Sequence, residues 1–192
     1  MLHRYSLTKT SVVFFFAAVI ILHLLKPEIS PIGNFISELA IGHFGWLMAT
    51  AFVILGIGSS AIAWSLWRQS RRGIADAVGA FFLALWGIGL MLAAVFTVDP
   101  MGTPPTPTGN LHNLISLIAF VSLMIGSLIA SIRQRGKGLL ALSASLPALF
   151  ILTFGMAASG YVGLFQRIFA AAFLAWLCLA TRSTLEASRK NG

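Results

Sequence analysis

Residues 44–98 read FGWLMATAFVILGIGSSAIAWSLW (44–67), RQSRRGI (68–74) and ADAVGAFFLALWGIGLMLAAVFTV (75–98). Each flanking run exceeds the roughly 20 apolar residues that cross a ~30 Å hydrocarbon core as a helix. Lipid offers no hydrogen-bond partner to an open backbone, so such runs cross as helices whose polar groups pair internally. The short connection carries Arg68, Arg71 and Arg72. It therefore reads as a cytoplasmic turn between two antiparallel spans.

Working outward, four more apolar runs reach or approach the same length: Leu7 to Leu25, Leu111 to Ile132, Leu139 to Ala158 and Tyr161 to Thr181. The segments between them are too short to fold alone. The fold class is therefore all-α, a polytopic bundle of six transmembrane helices forming a single domain over residues 1–192. Arg4 and Lys9 precede the first span; Arg133, Arg135 and Lys137 join the fourth to the fifth; Arg182, Arg189 and Lys190 follow the sixth. With six crossings all these cations fall on one side, and the opposite segments keep only Lys26 and Arg167. The expectation is a protein of the cytoplasmic (inner) cell membrane with both termini in the cytoplasm.

Composition narrows the function classes. The chain has 192 residues, 58% hydrophobic and 9% charged, with a mean hydropathy of +0.91. Its net charge of +8 is divided among short segments beside the spans, which leaves no soluble basic face for nucleic acid. One cysteine, Cys178, sits inside an apolar run and excludes an intrachain disulfide. Leu7–Leu25 follows a basic start but leads into Lys26-Pro27-Glu28 with no small-residue cleavage site, so it is read as a retained first span. Small residues such as Gly56, Gly58, Ser60, Gly79, Gly87 and Gly89 let helix backbones approach closely in lipid.

Polar residues gather on the side away from most cations. In the first outer segment Ser30-Pro31 is a good helix start, and a short interfacial helix over 31–41 would place Asn34 and Glu38 on one face beside Ser37. In the second, Asp99 lacks a local cation among Pro100, Pro104, Pro105 and Pro107. Asn110 would cap the fourth span and put His112 and Asn113 in its first turn, suited to a ligand or proton carrier. Arg167 would lie roughly 9 Å into the sixth span, where it needs a carboxylate, a wet cavity or headgroups. Asp76, at the start of the third span, is read as structural, complementing the helix dipole beside Arg71 and Arg72.

His23 and His43 are further candidate ligands, and Glu38 and His43 would converge only across a bend at Gly42. No HxxxH, HExxH or CxxC pair exists, so any divalent metal would be assembled across helices from Glu38, Asp99 and His112. The sequence also lacks the buried histidine pairs that hold haem. No cofactor is indicated strongly.

The segments Asn34-Phe-Ile-Ser37-Glu38-Leu, Asp99-Pro100, Gly109-Asn-Leu-His112-Asn113 and Gln166-Arg167-Ile168, in order and spacing over nearly the full chain, resemble the prokaryotic integral-membrane family called domain of unknown function 998. That resemblance implies the six-span layout and singles out Ser37, Glu38, Asp99, His112 and Arg167. It supplies no activity. Three readings stay open from the residues. In the first, an outer polar pocket of Asn34, Ser37, Glu38, Asp99, His112, Asn113 and Arg167 binds a lipid headgroup or small amphiphile. The second is an intramembrane lipid-modifying hydrolase or transferase, metal-dependent or not. The third is a small transporter or a structural subunit, as a homo-oligomer or with a membrane-complex partner.

Overall fold

The computed structural model describes residues 2–69 and 73–190, and the side chains of residues 6–68 and 73–186. Arg71 and Arg72, and the side chains of Arg4, Arg189 and Lys190, lie outside the described residues. Six long helices make the fold: α1 (Leu2–Leu25), α2 (Gly45–Gln69), α3 (Ile74–Val95), α4 (Pro107–Gln134), α5 (Lys137–Gly155) and α6 (Val162–Lys190). All six are long and apolar enough to cross a membrane, so the chain is a multi-pass membrane protein. Two short 3-10 turns, Ile36–Ala40 and Ala157–Ser159, lie at the end that joins α1 to α2, α3 to α4 and α5 to α6. We call this the loop end.

Consecutive helices pack on one another, and α6 returns to touch α1 and α2, which closes a ring. The contact between α4 and α5 is the sparsest between neighbours in sequence. The α2–α3 seam is the tightest, and glycine is the reason. A Cβ built on Gly56 would lie 2.6 Å from the Gly87 carbonyl oxygen, and one on Gly87 would lie 2.7 Å from that of Gly56. Dispersion and close backbone approach hold helices together in lipid, where burial from water contributes nothing between them.

At the far end α3 and α4 are clamped by Arg133, whose Nε and Nη2 donate to the two oxygens of Asp76 at 2.7 and 3.0 Å. The expected neighbours Arg71 and Arg72 lie outside the described residues. Arg133 takes the carboxylate because the last turn of α4 lies against the first turn of α3. Close to that end, Trp176 Nε1 of α6 donates to Ser131 Oγ of α4 at 2.8 Å, and that hydroxyl donates on to the Ser127 carbonyl at 2.7 Å. This buried chain ties α6 to α4 across the ring.

Replacing Gly87 by leucine forces α2 and α3 apart. The thermal unfolding midpoint in detergent should fall by the equivalent of about 1–3 kcal/mol. Gly138→Ala, whose Cβ would meet only Leu179 Cδ1 at 4.0 Å, should leave it unchanged.

Candidate functional site

The connection from α1 to α2 folds back over the loop end. Sequence reading expects a helix over 31–41, but the chain makes turns and then the 3-10 turn Ile36–Ala40. The reason lies in who takes the backbone groups. Ile36 N–H donates to Gln166 Oε1 at 2.6 Å, the Asn34 carbonyl accepts from Arg167 Nη1 at 2.9 Å, and the Ile32 carbonyl accepts from Leu164 N–H at 3.0 Å. With α6 using these groups, an α-helical ladder has nothing left to pair. Side chains finish the turn: Ser30 Oγ accepts from Gly33 N–H at 3.1 Å, and Asn34 Oδ1 accepts from Ser30 N–H at 3.0 Å.

Glu38 is the centre of this cap. Only 2% of its surface is exposed. Its Oε1 accepts from Phe35 N–H at 2.8 Å, and its Oε2 accepts from Asn34 Nδ2 and from Met101 N–H, both at 3.0 Å. A buried carboxylate is tolerable only when its lone pairs are used in this way. The Met101 bond reaches into the α3–α4 connection, so one side chain pins both loops together.

Arg167, Lys26 and Asp99 are also engaged at the loop end. Arg167, the sixth residue of α6, donates to the Asn34 and Gly163 carbonyls at 2.9 Å and from Nη2 to His23 Nε2 at 2.9 Å. Arginine can only donate, so His23 accepts with a neutral ring. Of the expected alternatives, a carboxylate, a wet cavity or headgroups, the carboxylate is reached indirectly, from Arg167 through Asn34 to Glu38. Lys26, 6% exposed, gives its ammonium to the Leu39 and Ile41 carbonyls at 3.3 and 2.5 Å.

Asp99, read from sequence as locally unpaired, accepts from Thr106 N–H at 2.8 Å and from the Thr106 hydroxyl at 2.7 Å. Thr106 Oγ1 accepts in turn from Gly109 N–H at 3.0 Å, so Thr106, with Pro107 at the first helical position, is the cap of α4. Asn110 is not. The chain thus enters the helix four residues earlier than expected, and His112 lies in the second turn. A Cβ on Gly109 would fall on the Asp99 carboxylate. The Thr106 N–H, then its hydroxyl, hold the Asp99 carboxyl below its ordinary 3.8, against an opposing desolvation.

Beneath the cap lies a cavity of about 820 Å³ between α2, α3, α4, α5 and α6. Rings make much of its wall: Trp86 and Phe120 centroids are 5.4 Å apart, Trp86 and Phe173 5.1 Å, Phe120 and Phe169 5.3 Å, and Phe150 and Phe154 4.9 Å. At its upper end stand Ser37, His112, Asn113, Ser116 and Gln166. From Gln166 to Leu174 the lining runs about 12 Å along α6 at 1.5 Å per residue. Leu117 of α4 and Ile151 and Phe154 of α5 line the cavity while 50%, 69% and 49% exposed. The chamber is therefore least enclosed along the sparse α4–α5 seam.

His112 is 4% exposed and its Nδ1 lies 2.7 Å from the Phe96 carbonyl oxygen. That carbonyl can only accept, so Nδ1 carries a proton; the ring is buried and, among the described residues, the cavity wall holds no carboxylate to balance a second proton, which favours the neutral form and leaves Nε2 as an acceptor. Among the described residues the Phe96 carbonyl is the one hydrogen-bond partner of His112, and the ring lines the cavity.

The seven candidate residues thus separate. Ser37, His112 and Asn113 line the large cavity; Asn34, Glu38 and Arg167 build the cap; Asp99 anchors the start of α4. Of Glu38, Asp99, His112 and Arg167, His112 alone lines the large cavity, while the other three spend their polar atoms on the loops and helix starts. Glu38 borders a smaller recess of about 320 Å³ with Lys26, Glu28 and His43, across a bend where Gly42 has φ 68°. Among the described residues no three His, Cys, Asp or Glu side chains are grouped to hold a metal ion. Gln166, Ser116 and the aromatic wall are lining residues that the sequence reading did not single out. Phe150 with Phe154, and Phe169 with Phe173, stand four apart on their helices, a spacing equally typical of ordinary core.

The family described as "Protein of unknown function (DUF998)" matches over residues 10–183. The chain belongs to this family. No curated protein and no solved structure matches the chain. The matched span includes the cap, the α4 start and the whole cavity wall.

Two outcomes test the cap. Glu38→Ala leaves the Asn34 amide and the Phe35 and Met101 N–H groups without an acceptor, at about 1–3 kcal/mol each, and should lower the unfolding midpoint far more than Glu38→Gln. For Asp99 the folded pKa is depressed, so its contribution is present above pH 3.8 and lost as pH falls through the lower folded value. Unfolding midpoints recorded from pH 6 down to pH 2.5 should show an acid-side decline that is smaller in Asp99→Asn.

Proposed function

We propose that this protein binds a single-chain amphiphile from the membrane, with the chain in the aromatic cavity and the head under the polar cap. The observation that carries this reading is the cavity itself. Its volume of about 820 Å³ falls within the ~300–1,000 Å³ of small-molecule sites, which are typically apolar with a few placed polar groups. Ser37, His112, Asn113, Ser116 and Gln166 supply those groups at one end only. That polarity gradient matches a molecule that is polar at one end. The half-exposed Leu117, Ile151 and Phe154 give the chain a lateral route between α4 and α5. Of the lipid headgroup or small amphiphile expected from the sequence, this reading takes the amphiphile.

Orientation completes the proposal. Arg68, Arg133, Arg135, Lys137 and Arg182 all flank helices at the end opposite the cap, and short segments rich in Lys and Arg stay in the cytoplasm. The cap and the upper cavity then face the outer leaflet of the cell membrane, and both termini are cytoplasmic. A fluorescent protein fused to the C-terminus should fluoresce, whereas alkaline phosphatase fused there should be inactive; the opposite pair of results reverses the orientation.

Monoacylglycerols of 8 to 18 carbons probe the cavity in purified protein. Binding, read as thermal stabilisation in detergent, should strengthen by up to about 0.8 kcal/mol per methylene and then level off when the chamber is full. Ala170→Trp, which adds bulk at the wall, should move that plateau to shorter chains. A plateau identical in wild type and variant would place the chains elsewhere and remove the proposal.

A further inference from the structure

We infer that the head of the cavity's occupant is uncharged and donates a hydrogen bond to Nε2 of His112. This inference rests on the amphiphile reading above and sharpens it to a class of ligand.

The first support is the complete absence of ionisable acids and bases other than His112 from the lining. Among the described residues no Asp, Glu, Lys or Arg borders the chamber. The charged groups nearby are committed to the protein: Glu38 to three donors, Arg167 to two carbonyls and His23, Lys26 to two carbonyls, and Asp99 to Thr106. A phosphate, carboxylate or quaternary ammonium drawn into this chamber would lose its hydration and gain no counter-charge. That desolvation is the largest penalty a polar group meets in an apolar site.

The second support is the chemistry left free. His112 is buried, held by its Nδ1 proton on the Phe96 carbonyl, and presents Nε2 as an acceptor. Gln166 supplies the complement. Ile36 N–H can only donate, so the atom it meets at 2.6 Å is the side-chain oxygen, and the orientation of the amide is fixed by that bond. The Nε2 amide group of Gln166 is then left with two donors at the same chamber. One fixed acceptor and one fixed donor, with the hydroxyls of Ser37 and Ser116 able to do either, suit a head that both donates and accepts. A hydroxyl does so, as does a primary or secondary amide. A glyceryl or simple alcohol head fits; in a lysophosphatidylcholine the choline phosphate gives no hydrogen, and its one glycerol hydroxyl could reach Nε2 only by bringing both charges toward the chamber.

The test compares three ligands with one oleoyl chain: monooleoylglycerol, oleoyl-lysophosphatidylcholine and oleate at pH 8. Affinities are measured by native mass spectrometry and thermal stabilisation on the full chain in detergent. Monooleoylglycerol should bind at least tenfold more tightly than either charged ligand. Asn at position 112 keeps a side-chain N–H where Nδ1 lies, so His112→Asn retains the Phe96 bond and deletes only the Nε2 acceptor. That variant should lose about tenfold in affinity for monooleoylglycerol, the worth of one hydrogen bond, with the charged ligands unaffected. Equal or tighter binding of lysophosphatidylcholine or oleate by the wild type overturns the uncharged head while leaving the amphiphile reading in place. An unchanged preference in His112→Asn overturns the role of His112. Failure of all three ligands to bind overturns both.

Discussion

Three hydrogen bonds to the carboxylate of Glu38 hold the loop end of this protein together. They draw the Asn34–Ala40 segment and the Met101 backbone onto one buried charge, so the α1–α2 and α3–α4 connections form one cap instead of two separate loops. α6 completes it by giving Gln166 and Arg167 to the same segment. Without that anchor, Ile36 and Leu39, 6% and 0% exposed, would have no reason to turn inward. The roof of the cavity is thus a consequence of one satisfied carboxylate.

The way the charges are satisfied also determines the character of the chamber beneath. Glu38, Arg167, Lys26 and Asp99 are all hydrogen-bonded by the loops and helix starts around them, largely through backbone carbonyls and N–H groups. Nothing charged is left over to enter the chamber. What remains there is a wall of rings and a small set of neutral donors and acceptors at one end. In a membrane such a chamber is open to apolar chains along its weakest seam, between α4 and α5, while the cap closes the end.

Much of the fold was legible in the sequence because its decisive signals are local. The length of the apolar runs and the alternation of Arg68, Arg133 and Arg182 with cation-poor segments require six spans, and the helices α1 to α6 lie on those runs. The start of α4 was misplaced because its cap, Thr106, is chosen by Asp99 seven residues earlier, a contact that propensity does not register. The short helix over 31–41 failed for a related reason: Gln166 and Arg167, some 130 positions away, take its backbone groups. For the site, charged residues stand out in the sequence, since a charge near a membrane is conspicuous. The sequence could not show that Glu38, Asp99 and Arg167 are consumed by the backbone, or that Phe120, Phe150 and Phe173 surround an empty volume instead of filling one another's space.

The central claim is that an amphiphile occupies the aromatic chamber. An electron cryomicroscopy structure of the protein extracted directly in native membrane patches, without detergent, tests it most directly. The account requires continuous, chain-shaped density between Trp86 and Phe173, ending in a head beside His112. Phe side chains collapsed into the volume, with lipid density confined to the outer surface of the ring, would contradict it.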